Sequence, residues 1–265
     1  MTVPSSGILV GIMEDLSTKD QQLKKKNKLI IWYLLWWRAI FSEFLSTLLL
    51  VLLGCMSCVP LDDSDTRPSI DGALGFGLAV LFNVEAFGHI SGAHMNPSVT
   101  LAAMLWGRMS FSLGIAYIIA QCLGSIFGYG ILIEISPTDL IKRGVCTTQP
   151  HIRYTGLQAL AVEVILTLSL IFLVCAMWDP VNAHSQESSS LKVGFAVAGF
   201  SIAGGPLTGA SLNPARTLGP ALWSGIWNTH WVYWTGPLLG STLGALFYKY
   251  TWLRKSVDVK INIQE

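Results

Sequence analysis

Two stretches, SGAHMNPSVTL (residues 91–101) and TGASLNPARTL (residues 208–218), are copies of one another. Upstream of each lies a long apolar run, AIFSEFLSTLLL at 39–50 and ALAVEVILTLSL at 159–170, which match in the same order and place Glu43 opposite Glu163. A repeat in which whole segments recur in register means that the chain is two copies of one unit. Each copy holds three long apolar spans, so the second must enter a membrane from the opposite face. The result is an inverted repeat with a pseudo-two-fold axis in the membrane plane, an architecture whose sites lie at the repeat interface near the midplane.

Composition supports a lipid environment. Of 265 residues, 52% are hydrophobic and 12% charged, against a soluble norm of roughly a quarter charged. Mean hydropathy is +0.53. Lys plus Arg at 17 against Asp plus Glu at 16 leaves a net charge of +1, which speaks against a nucleic-acid partner and against an acidic solvating tail. Nearly charge-free stretches lie at 39–59, 72–87, 110–133, 157–178, 193–215 and 231–248. A span needs roughly 20 apolar residues to cross about 30 Å of hydrocarbon, and backbone amides in lipid must bond within their own segment. The expectation is therefore an all-α membrane protein with six transmembrane helices, its close helix packing served by Gly124, Ser125 and Gly128 in the third span and Gly236, Gly240 and Gly244 in the sixth.

Lys24, Lys25, Lys26 and Lys28 precede the first span, whereas the first loop holds Asp62, Asp63, Asp65 and Asp71 against Arg67. That bias puts the N-terminus in the cytoplasm, and six crossings return the C-terminus there with Lys249, Arg254, Lys255 and Lys260. Lys142, Arg143 and Arg153 in the long third-to-fourth loop run the other way, but they lie in a loop too long for the rule. The expected division is a cytoplasmic tail at 1–30, a channel domain at 31–252 made of repeats 31–135 and 156–252, and a cytoplasmic tail at 253–265. The polar, mixed N-terminus does not read as a cleaved signal. Tryptophans at span ends, among them Trp32, Trp36, Trp37, Trp223, Trp227, Trp231 and Trp234, read as interfacial anchors.

The two Asn-Pro segments sit where a full span does not fit. A half-helix can run from Asn96 to about Trp106 and another from Asn213 to about Leu222, with Gly204, Gly205 and Pro206 breaking the fifth span. Pro97 and Pro214 take the first helical position, where a missing N–H costs nothing, and Asn96 and Asn213 cap. One Asn-Pro would merely start a helix; two at equivalent points of an inverted repeat make two re-entrant half-helices meeting N-terminus to N-terminus, their positive dipole ends and Asn amides facing one point.

With both segments read, HISGAHMNPSVT and TGASLNPART resemble the paired signature loops of the major intrinsic proteins, the aquaporin and aquaglyceroporin family, and the resemblance extends over residues 30–252. It implies a homotetramer with one pore per subunit in a lipid bilayer and no cofactor. The family usually has Asn-Pro-Ala twice, whereas the first copy here is Asn96-Pro97-Ser98 against Asn213-Pro214-Ala215. A serine hydroxyl in a helix can bond back to its own backbone, so the pore is expected to survive the change. By the family's spacing the selectivity filter falls at Phe76, Ser201, Ala210 and Arg216. Water-selective members usually have histidine at the Ser201 position. Usual glycerol channels have aspartate after the ring arginine, where this chain has Thr217. A water-type frame with Phe, Ser, Ala and Arg resembles the insect entomoglyceroporins and implies a passive plasma-membrane channel for glycerol, urea and related small polyols together with water; a mainly water-selective channel is the alternative.

Residue chemistry gives that preference a rationale. Arg216 offers fixed donors to the hydroxyl edge of glycerol, Phe76 an apolar wall to its CH edge, and Ser201 and Ala210 leave room. Cations and protons are opposed by Arg216, the helix dipoles and the two Asn donors, as in aquaporin-type pores generally. Ala210 carries no sulfur for a mercurial to metallate within the ring.

The remaining polar residues fit supporting roles. Glu43 and Glu163 are expected to brace the loops rather than carry protons. His94 either lines the cytoplasmic vestibule or bonds the loop, and Glu85 reads as solvated, with a pH gate involving His89 or His94 as the lesser reading. Cys55, Cys58, Cys122, Cys146 and Cys175 read as neither a disulfide framework nor a metal site, and the apolar flanks of the Cys55-x-x-Cys58 pair argue against a redox turn. A secondary transporter would need paired ionisable groups at the midplane, a junctional protein would adhere face to face, and no enzyme's nucleophile, base and oxyanion set can be assembled.

Overall fold

A computed structural model of the chain describes residues 6–60 and 69–253, the side chains of 6–26 and 29 aside. Of the charges expected to orient the chain, Asp62, Asp63, Asp65, Arg67, Arg254, Lys255 and Lys260 lie outside the described residues, as do the side chains of Lys24, Lys25 and Lys26. Every regular element among the described residues is helical. In order these are α1 (Ser6–Met56), α2 (Ser69–Ser91), α3 (Pro97–Trp106), α4 (Phe111–Ile135), α5 (Leu140–Arg143), α6 (Gly156–Trp178), a 3₁₀ segment (Pro180–Ser188), α7 (Ser189–Thr208), α8 (Pro214–Ser224) and α9 (Val232–Thr251). The chain divides into two compact units, Met1–Ala39 and Ile40–Glu265.

In the first unit the described residues are helical throughout, so the stretch read as a tail already forms helix from Ser6. No proline interrupts residues 6–39, and the Gln and Lys residues at 21–28 are good helix formers. Trp36 and Trp37 are exposed there, and the Arg38 guanidinium lies 5.6 Å from the Trp37 ring centroid.

Among the described residues five helices are long and apolar enough to cross a bilayer: Ile30–Met56, Ile70–Ser91, Phe111–Ile135, Gly156–Trp178 and Pro180–Thr208. The sixth expected span exists as α9, whose 20 residues rise about 30 Å; its threonines, tyrosines and Lys249 make it less apolar than the rest. In the second unit α2 packs on α7, the middle span of one repeat against the middle span of the other, and α6 packs on α9, the first and last spans of the second repeat. Glycines set the distances. A Cβ on Gly77 would stand 2.6 Å from the Gly194 carbonyl and one on Gly194 2.8 Å from the Gly77 carbonyl, so α2 and α7 touch backbone to backbone. A Cβ on Gly124 or Gly128 would collide with the carbonyls of Phe44 or Leu48, and one on Gly240 would meet the Val164 carbonyl at 2.5 Å.

The expected break of the fifth span at Gly204-Gly205-Pro206 does not occur. α7 continues to Thr208 and stops at Gly209, whose φ of 83° and N–H to the Gly205 carbonyl form the cap. Pro206 falls in the last turn, where the hydrogen bond it removes is one of few. Gly204 has a packing role instead, since a Cβ there would strike Leu166 Cδ1. A second correction concerns cysteine: Cys55 and Cys146 form a disulfide with Cα atoms 5.5 Å apart across 91 residues of sequence. Sequence spacing could not disclose it, because the fold alone brings the loop at 146 against the end of α1. Cys58 lies outside that bond.

Candidate functional site: a channel between opposed half-helices

Each half-helix begins as its sequence demands. Asn96 caps α3 from extended backbone, its Oδ1 accepting from Ser98 N at 2.8 Å, with Pro97 at the first helical position. Asn213 caps α8 in the same way, Oδ1 accepting from Ala215 N at 3.0 Å and Arg216 N at 3.1 Å. The side-chain amides then cross. Asn96 Nδ2 donates to the Leu212 carbonyl at 2.9 Å and Asn213 Nδ2 to the Met95 carbonyl at 2.8 Å, tying the two loops together. A carboxamide has two N–H donors, so each Asn keeps a second one for whatever occupies the cavity it lines.

The loops that deliver these caps are strained alike. Ala93 and Met95 have φ of 46° and 52°, and Ala210 and Leu212 have φ of 45° and 53°, a left-handed conformation costing roughly 1–3 kcal/mol for each non-glycine residue. The two glutamates hold them. Glu43, fully buried, accepts from Ser91 Oγ (2.7 Å) and His94 N (2.8 Å) on Oε1, and from Met95 N and Gln121 Nε2 (both 2.8 Å) on Oε2. Glu163, also fully buried, accepts from Thr208 Oγ1 (2.7 Å), Ser211 N (3.0 Å) and Leu212 N (2.9 Å). Gln121 and Thr100 complete the first brace, Gln121 Nε2 reaching Thr100 Oγ1 at 2.9 Å, and sequence reading had passed over both.

A cavity of about 110 Å³ runs past both asparagines, walled mainly by Leu, Val and Met side chains from α2, α6 and α7. Beyond it lies a second cavity of about 230 Å³, with Ser57, Cys58 and Gly72 on its wall. Four residues border both: Phe76, Ser201, Ala210 and Arg216. The four positions that spacing had grouped are therefore brought together at the neck between two cavities. Arg216 is buried, its Cζ 4.5 Å from the Phe76 ring centroid, and its Nη1 donates to the Cys146 carbonyl at 2.7 Å. Gly54 makes room for that ring, since a Cβ there would stand 2.5 Å from Phe76 Cδ1. Cys146 is the partner sequence reading missed; nothing local marks a carbonyl seventy residues away.

At the opposite end His94 both lines the cavity and bonds its own half-helix, Nδ1 lying 3.2 Å from Thr100 Oγ1. Trp178 lines the same end, 6.1 Å from the His94 ring and with Arg108 Cζ 5.4 Å from its own centroid. Glu85 and His89 are exposed and border neither cavity. Ser98 departs from expectation: its buried Oγ makes no hydrogen bond, back to the helix or elsewhere.

A membrane-embedded bundle with two capped half-helices, tied tip to tip beside two cavities that share four wall residues, defines a transmembrane channel of the re-entrant-loop class. Comparison with known proteins is more specific. Residues 31–248 match the model of the major intrinsic protein family, and the chain belongs to that family. It is 39% identical to Aquaporin-4 of Mus musculus over 238 residues, covering 89% of this chain and 73% of that one. It is 41% identical to Aquaporin-2 of Homo sapiens over 214 residues, covering 80% and 78%. In fold it resembles the aquaglyceroporin from Plasmodium falciparum, with a TM-score of 0.70 at 24% identity over 82% of this chain and 96% of that chain.

Proposed function

We propose that the chain conducts glycerol and related small uncharged polyols together with water, passively, and excludes ions and protons. One observation carries the reading: the neck shared by the two cavities is bounded by Phe76, Ser201, Ala210 and Arg216, with a small hydroxyl and a methyl on two sides. Glycerol has a hydroxylated edge and a hydrocarbon edge. The guanidinium supplies donors to the first, the Phe76 ring an apolar surface to the second, and Ser201 leaves the width that an imidazole would fill. Urea, planar and uncharged, fits the same chemistry. Both asparagines then present donors to a passing hydroxyl or water, which must accept from each, so a proton-conducting chain is interrupted.

In this reading residues 31–252 form the pore, Asn96-Pro97-Ser98 and Asn213-Pro214-Ala215 its centre, and Glu43 and Glu163 its braces. The neck faces the extracellular side, His94 faces the cytoplasmic vestibule, both termini are cytoplasmic, and the subunits form homotetramers in the plasma membrane. A mainly water-selective channel is the second reading, favoured by the 37–41% identity to relatives named as aquaporins 4 and 2. Stopped-flow light scattering of proteoliposomes separates the two, using osmotic gradients of an impermeant solute, glycerol and urea in turn. Glycerol flux well above that of protein-free vesicles is the expected result; water flux alone would establish the second reading.

A further inference from the structure

The disulfide sits one residue's width from the neck. Arg216 is buried, and a guanidinium carries five donors in a rigid fork that must find acceptors. Its Nη1 acceptor is the Cys146 carbonyl at 2.7 Å, and Nη2 lies 3.7 Å from the Cys146 sulfur itself. Cys146 is also in left-handed backbone, φ 66°, a conformation a cysteine adopts only when its surroundings impose it. Two constraints act there. Tyr129 Oη donates to the neighbouring Val145 carbonyl at 2.6 Å, and the covalent bond fastens Cys146 to the fully buried Cys55 near the end of α1. α1 also carries Gly54, against which the Phe76 ring rests. The helix end that seats the apolar wall of the neck thus holds, through one S–S bond, the carbonyl that orients its charge.

We propose that the Cys55–Cys146 disulfide is a positioning device for Arg216, so that the selectivity of the neck depends on the oxidation state of that bond. The inference rests on the reading that Arg216 bounds the conducting path. Reduction needs a low-molecular-weight thiol. Its thiolate attacks one sulfur, the other cysteine leaves as a thiolate and takes up a proton, and a second thiol resolves the mixed disulfide, releasing the oxidised thiol and the second cysteine. Cys146 is only partly buried and Cys55 fully, so the reagent approaches from the Cys146 side. Once free, Cys146 relaxes towards negative φ, its carbonyl turns, and the guanidinium loses its fixed acceptor. Fluxes of water and glycerol then change unequally, because glycerol requires two oriented edges and water one hydrogen bond.

The test uses the full chain in proteoliposomes, in a Cys58→Ser background so that Cys58 cannot reshuffle with Cys55. Glycerol and water permeabilities are measured with and without a dithiol, for that background and for Cys55→Ala and Cys146→Ala added to it. The expected result is a change of about threefold or more in the glycerol-to-water ratio on reduction, which a rate ratio reports directly as a barrier difference. Both alanine variants should show the reduced ratio without reagent and give no further response. A ratio unchanged in both variants, or both fluxes falling in proportion, would overturn the proposal, the latter marking a merely structural bond. Arg216→Lys in the same assay separates the two levels. If it shifts the ratio while the cysteine variants do not, only the disulfide inference fails; if it too leaves the ratio unchanged, the reading of the neck fails with it.

Discussion

In the proposed function, solute choice turns on Ser201. It borders both cavities with Phe76, Ala210 and Arg216, so a side chain grown there extends into the shared neck. Ser201→His would place an imidazole where the glycerol carbon chain must pass and add a polar face opposite the guanidinium. Water is small and gains a partner, so its permeability should fall little. Glycerol should meet an extra barrier of about 1.4 to 3 kcal/mol, lowering its flux about ten- to more than a hundredfold. Swelling in isotonic glycerol and in hypotonic buffer, each normalised to surface protein, measures both; glycerol flux that survives the substitution would remove residue 201 from the path. The adjacency of these four positions was legible because the signature loops fix a register and family spacing extends it. The Cys146 carbonyl was not, since a backbone acceptor in an irregular loop has no residue-type signal. Ser98 shows the converse limit: its identity was plain, but whether a helical hydroxyl bonds its own backbone depends on rotamer and packing, and here it does not.

Helix packing shows which features a linear reading can and cannot supply. Small residues at 124, 128, 236, 240 and 244 announced close contacts, and the structure puts neighbouring backbone against Gly124, Gly128 and Gly240 and the side chains of Glu163 and Ile171 against Gly236 and Gly244. The same residue type misled at Gly204-Gly205-Pro206, where glycine beside proline imitates a helix end although Gly204 is accommodating Leu166. Composition cannot distinguish a glycine that frees the backbone from one that admits a neighbour, because the neighbour comes from another helix. Gly240 tests the packing role. Its Cβ would lie 2.5 Å from the Val164 carbonyl and 3.0 Å from Leu168 N, both backbone atoms of α6 that can yield only if the helices part. Gly240→Ala should therefore cost about 1–3 kcal/mol as an overpacked contact. A fall of several degrees in the thermal midpoint of the detergent-solubilised protein is expected, at about 2–4 °C per kcal/mol for chains of 150–250 residues. Gly199→Ala, within α7 and where a Cβ would meet nothing within 4 Å, should leave the midpoint unchanged or raise it slightly, alanine being the better helix former; equal falls in the two variants would deny the close contact its role.

The proposed ion exclusion belongs to the whole molecule, because it would depend on how the two repeats face each other. Inversion brings the N-termini of α3 and α8 together, and the crossed bonds from Asn96 to Leu212 and from Asn213 to Met95 lock that meeting in place. Each N-terminus carries roughly half a positive charge, so both oppose a cation at the same depth. The repeats are not identical in what they add. Position 216 is arginine in the second copy, whereas the residue at the equivalent place in the first, Val99, is apolar. The barrier therefore has a symmetric part from the backbone and an asymmetric part from one side chain at the neck. Arg216→Val makes the two copies alike at this position and leaves the dipoles alone. Since the dipole contribution falls off within a turn of the helix end, it is too short-ranged to guard the neck as well as the centre. The variant should conduct small cations or protons, seen as a current above that of uninjected oocytes at equal surface expression, while still passing water. A current no larger than in uninjected cells would mean that the two opposed half-helices suffice, and that the guanidinium over Phe76 serves to read solutes rather than to repel charge.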